Sequence, residues 1–152
     1  MKPVRRFNVF GEPVEILVSS AMSNGSLNVI TQTCQPGGGP PPHRHTKEDE
    51  FFTVLEGEFE FFDGKGWHRL LTDQMQFGPR GGIHTFRSCG TTNGKILIVA
   101  SPGGLDRYLE EISPLIMPTD AERLFEISNP YGISFVQSNQ RMSSRENTVT
   151  LK

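Results

Sequence analysis

Apolar residues in this chain come in short runs, each cut off by a turn rich in glycine, proline, asparagine or aspartate. Residues 13–19 (PVEILVS) and 27–34 (LNVITQTC) read as strands, rich in β-branched side chains and separated by the polar AMSNGS turn. Residues 3–10 predict a short edge strand that Gly11 turns. Residues 50–56 are apolar on both strand faces: Phe52 and Val54 share the parity of Glu50, while Phe51 and Leu55 take the other. Both faces of that strand are therefore expected to be covered, the outer one by a sheet, a helix or a second subunit. Residues 58–62 alternate, Asp63-Gly64 turns the chain into a strand at 66–71, and strands at 75–77, 83–87 and 95–101 follow. After that the period changes. Leu105, Tyr108, Leu109 and Ile112 lie at i, i+3, i+4 and i+7, the apolar stripe of an amphipathic helix. Thr119 and Glu122 predict a capping box for a second helix at 120–128, which Asn129-Pro130 and Gly132 stop. A strand returns at 133–136. Many short strands and no α-crossovers predict an all-β jelly-roll barrel with a short C-terminal helical segment at 105–128.

The 152 residues suffice for one domain with a real core, expected at 1–136, and the polar, aperiodic residues 137–152 are expected to be a disordered tail. A net charge of −2 with acids and bases scattered excludes a basic nucleic-acid or membrane-surface footprint. No apolar run approaches the ~20 residues of a membrane span. The opening MKPVRRFNVF is interrupted by polar residues and does not read as a signal peptide. Two cysteines, Cys34 and Cys89, with no CxxC spacing exclude a disulfide framework and predict a reducing, cytoplasmic setting.

The chemistry concentrates between Gly37 and Gly57. His43 and His45 are two apart, so in a strand they point to the same face, and a strand beginning near Glu50 could bring its carboxylate beside them. His84 opens another strand after the turn GPRGGI. Three imidazoles and one carboxylate form a set able to hold one divalent transition ion, Fe, Mn, Ni, Cu or Zn, with coordination positions left open. Glu48 and Asp49 are neighbouring carboxylates, but parity favours Glu50, either as a permanent ligand or as a general base. His68 lies apart from this group and reads as an ordinary strand residue. Phe52, Val54, Met75, Phe77 and Phe86 could line an apolar pocket near the ion or simply fill a barrel core. Arg80 reads as a solvated turn residue. The prolines 40–42 stiffen an extended approach to His43 at an edge or lip.

The spacing Gly37, His43, His45, Glu50, Gly57 resembles the first cupin motif position by position, and Pro79, Gly81 and His84 resemble the second. Asp73 and Ser88 depart from that second pattern, which has Gly and Asn there. The PPPHRHTKEDEFFTVLEGEFEF and SPGGLDRYLEE segments are similar to single-domain, quercetin 2,3-dioxygenase-like cupins. The resemblance implies a double-stranded β-helix with metal motifs at 37–57 and 73–88. It also implies a dioxygenase acting on a small, metal-chelating aromatic or enol substrate, flavonol-like, with Glu50 as the catalytic base. The same ligands would suit a metal-dependent isomerase, an oxalate-type oxidase, or a module that binds metal and a small molecule without turnover. A homodimer is expected, since the doubly apolar strand needs cover and cupins commonly pair through such sheets. The expected partner is otherwise a small molecule, with no nucleic acid and no membrane.

Overall fold

Glycine- and proline-bearing turns break the chain into eleven strands and two helices, seen in a computed structural model that describes residues 1–136. The expected tail at 137–152 lies outside the described residues. The strands are β1 (Arg5–Val9), β2 (Glu12–Val18), β3 (Asn28–Cys34), β4 (His43–His45), β5 (Asp49–Glu56), β6 (Phe59–Phe62), β7 (Trp67–Leu70), β8 (Met75–Gly78), β9 (Ile83–Ser88), β10 (Gly94–Ser101) and β11 (Ile133–Phe135). The helices are α1 (Leu105–Ile112) and α2 (Ala121–Ser128). Two antiparallel sheets form, one ordered β1-β2-β3-β10-β5-β8 and the other β11-β4-β9-β6-β7. Their facing side chains make a jelly roll, packed on Ile16, Ile30, Phe52, Val54, Phe59, Phe61, Phe86 and Ile96. Among the described residues no helix is long and apolar enough to cross a membrane.

Strand parity works as the alternating pattern requires. Glu50, Phe52 and Val54 face inward from β5, while Phe51 and Leu55 face out. The expectation that this outer face is covered is not met within the described residues. Phe51 and Leu55 stay exposed, and β8 extends the apolar surface with Phe77 opposite Phe51 and Met75 opposite Thr53. Helix α1 buries its predicted stripe against β1, β3 and α2. The expected capping box at Thr119 and Glu122 does not form. The chain makes its own turn at 116–120, where Asp120 accepts the Ile116 N–H through Oδ2 at 2.8 Å, and the helix starts later, at Ala121. The hairpin between β6 and β7 has a four-residue loop instead of a tight two-residue turn. Asp63 Oδ1 accepts the N–H groups of Lys65 and Gly66 at 2.8 and 2.9 Å to close it. Asp73 adopts φ 68°, the left-handed conformation in which aspartate is tolerated better than most residues, which accounts for its standing in a glycine position.

Candidate metal centre

Three short strands and one sheet-to-sheet approach assemble the site. His43 and His45 share a face of β4, and antiparallel pairing sets His43 directly opposite His84 on β9. Glu50 does not lie beside them in the same sheet. It reaches across the sandwich from β5, paired there with Gly78 of β8. One donor atom from each of His43, His45, Glu50 and His84 falls within 4.8 Å of the others, and all four side chains are buried.

Glu50 Oε2 lies 2.7 Å from His84 Nε2 and 3.3 Å from His45 Nε2. Glu50 Oε2 and both ring nitrogens of His84 are nonetheless buried without a hydrogen-bond partner among the described residues. Orphaned polar atoms in a dry interior are costly unless something completes them. Here the orphans include an acceptor oxygen and an imidazole nitrogen converging on one point, in an all-N/O set. That arrangement fits a first-row divalent ion.

The surroundings prepare the ligands. Pro41 C=O accepts from His43 Nδ1 at 2.8 Å, and Glu48 Oε2 takes His45 Nδ1 at 3.1 Å, which leaves the Nε2 atom of each ring as the inward lone pair. Burial, with the neighbouring His84 and His45, pushes the His43 pKa down to about 3, so this ring is neutral near pH 7. Burial opposes charge on His45 too, but Glu50 and Glu48 outweigh it and hold its pKa above the usual histidine value. For Glu50, burial alone would raise the pKa. The charge of His45 and the contacts with His84 overcome this and bring it down to about 2, which makes Glu50 a carboxylate.

A cavity of about 100 Å³ opens beside His43, His45 and Glu50. Of the five pocket residues expected from sequence, Phe52 and Phe86 line it. Val54 is fully buried on the same face of β5 but belongs to the packed core and does not reach the cavity. Met75 and Phe77 are misplaced by the sequence reading: they are exposed on the outer face, because Gly78 pairs with inward Glu50 and sends the odd positions of β8 outward. Pro40 and Pro41, on the approach to His43, also line it, and further lining comes from segments remote in sequence, among them Val9 and Phe10, Tyr108 and Leu109 of α1, and Phe135 of β11. The stripe on α1 was visible as a pattern, but not that it closes this cavity. His68 is an exposed strand residue paired with Asp63, and Arg80 is an exposed turn residue paired with Asp49, both away from the site.

Residues 30–100 match the cupin domain family. Solved structures with the same fold include KdgF from Halomonas sp., with TM-score 0.61 and 19% identity over 68% of this chain and 90% of that one. An RmlC-like cupin from Shewanella frigidimarina NCIMB 400 gives TM-score 0.59 and 20% identity, over 68% of this chain and 87% of that one. A predicted oxalate decarboxylase from Thermotoga maritima gives 0.56 and 27% identity, over 67% and 93%. No curated protein matches the chain.

Proposed function

We propose that this chain, whose residues 30–100 match the cupin domain family, is a metal-dependent dioxygenase for a small, apolar, metal-chelating enol or phenol of the flavonol kind. The observation that carries the reading is the cavity lining: apart from Glu12, Gln32 and the ligands themselves it is mostly aromatic, aliphatic and proline side chains, and no lysine or arginine is among the described residues that line it. An oxalate-like dianion or a sugar phosphate calls for cationic partners, and a sugar for many polar ones. A flat aromatic ligand calls for neither.

His43, His45, His84 and Glu50 would hold the ion, one of Fe, Mn, Ni, Cu or Zn. Such an ion supplies Lewis-acid polarisation and, where redox-active, the oxygen chemistry. The protein's own side chains do the rest. Phe52, Phe86, Tyr108 and Phe135 exclude water and orient the ring. Glu50, whose Oε2 has no hydrogen-bond donor among the described residues, would take the hydroxyl proton. With a pKa brought down to about 2 it is a weak base, suited only to an acidic enol or phenol. That same depression favours a second reading, in which Glu50 is a ligand only and the protein binds its small molecule without turnover.

One experiment separates the two. Glu50→Gln keeps size and an oxygen donor but cannot accept a proton near neutral pH. Metal affinity should fall by one to two orders of magnitude at most, whereas oxygen uptake with flavonols, counted per bound metal, should fall by about 10²–10⁴. Per-metal turnover equal to wild type removes Glu50 as the base. Absence of turnover in both proteins with every chelating substrate favours the binding module.

We also propose a homodimer, with a second copy covering the outer face of the six-stranded sheet.

A further inference from the structure

The cavity wall has one polar feature that the metal centre does not use. Gln32 sits on the inward face of β3, opposite Val14 on one side and Ile96 on the other, both fully buried. An amide in that apolar row is unfavourable unless it is partnered, and leucine or methionine would fill the position at lower cost. Gln32 lines the same cavity as His43, His45 and Glu50, together with Glu12.

Glu12 fixes which way the amide points. It stands just after the Phe10–Gly11 turn of the first hairpin. Its Oε1 accepts the Gly39 N–H at 2.9 Å, and its Oε2 accepts from Gln32 Nε2 at 3.2 Å. A carboxylate only accepts, so the glutamine must turn its NH₂ toward Glu12. Gln32 Oε1 is then an oriented acceptor with no hydrogen-bond donor among the described residues.

We propose that Gln32, held by Glu12, is a specificity subsite that reads a hydroxyl on the ligand's far part, away from the atoms that meet the metal. The inference rests on the flavonol reading above and narrows it: the ligand is an apolar chelator carrying at least one hydroxyl besides the chelating one. A hydroxyl donates to Gln32 Oε1. A ligand without one covers the half-buried amide and leaves its oxygen unmatched, and that is how a polar group in an apolar pocket discriminates.

The test is fluorescence titration of the zinc-loaded protein, since zinc is not redox-active and does not consume the ligand. The probes are 3-hydroxyflavone, which has only the chelating hydroxyl, and quercetin, which has further hydroxyls. Wild type should bind quercetin about tenfold more tightly or better. Gln32→Met should abolish that preference through weaker quercetin binding, with zinc content serving as the check on folding. Glu12→Ala, which releases the amide, should reduce the preference as well. An undiminished preference in Gln32→Met overturns the proposal, and so does equal binding of both probes by wild type, in either case with the flavonol reading intact. If the zinc-loaded wild type binds neither probe, the flavonol reading falls and this subsite with it.

Discussion

Glu48 is buried beside His45 and takes its Nδ1 at 3.1 Å. The carboxylate holds the ring in the tautomer and orientation that aim Nε2 at the ion. Replacing it by alanine should weaken metal binding by about 10–100-fold without removing a ligand, measurable by competitive titration against a chelating dye. Gly78 works by absence. A Cβ there would stand 3.0 Å from His84 Nδ1 and 3.1 Å from a Phe52 ring carbon. Gly78→Ala must displace one of the two, costing about 1–3 kcal/mol and lowering metal occupancy. Retention of full metal content at unchanged melting temperature would show that the site has slack it should lack.

At the scale of elements, α1 is fastened to the barrel by Asp106, a residue of its first turn that is nearly inaccessible to solvent. Asp106 accepts the Ser20 N–H at 3.1 Å and the Ser20 hydroxyl, and Arg5 of β1 pairs with it at 2.6 Å. Burial alone would raise its pKa, but the Ser20 hydrogen bonds and Arg5 outweigh it and hold the carboxyl below the usual aspartate value. A pKa depressed on folding stabilises the native state at pH above the unfolded-state value of about 3.9, and that contribution fades as pH falls toward the native value. Asp106→Asn should therefore destabilise the protein at pH 7, by about 1–3 kcal/mol, and the gap from wild type should narrow below about pH 4. Urea unfolding at the two pH values checks this. Since α1 lines the cavity through Leu105, Tyr108, Leu109 and Ile112, loosening it should also weaken the proposed binding of a flavonol while leaving the proposed metal site in place.

On the scale of the molecule, the outer face of the six-stranded sheet is a large apolar surface left uncovered among the described residues. Met75 and Phe77 are 58% and 53% exposed, beside Phe51 and Leu55 at 38% and 37%. Contiguous apolar side chains on one face are the kind of surface through which proteins associate, and the proposed homodimer would bury it by an isologous pairing. Light scattering should give twice the chain mass at micromolar concentration, and Phe77→Lys should convert it to monomer. A wild-type monomer at that concentration would refute the pairing.

Much of the metal centre could be read from the chain. His43 and His45 share a face because strand side chains repeat every two residues. Glu50 shares parity with Phe52 and Val54 for the same reason. His84 is the third imidazole brought in by a strand, and the amphipathic stripe at 105–112 is local periodicity. What could not be read depends on register and on what packs over what. Met75 and Phe77 have the same parity as one another, yet whether that parity faces in or out is set by the pairing of β8 with β5, which places Gly78 opposite Glu50. The Glu48 carboxylate at His45 and the Pro41 carbonyl at His43 are near in sequence, but the turn conformation decides that they meet the rings, whereas the cavity walls from β1, α1 and β11 come from segments tens of residues away. The local sequence thus determined which residues could act as ligands, because side-chain direction along a strand is a local property. Only the tertiary structure decided what surrounds them, because packing partners are chosen by the closure of two sheets and one helix on a shared core.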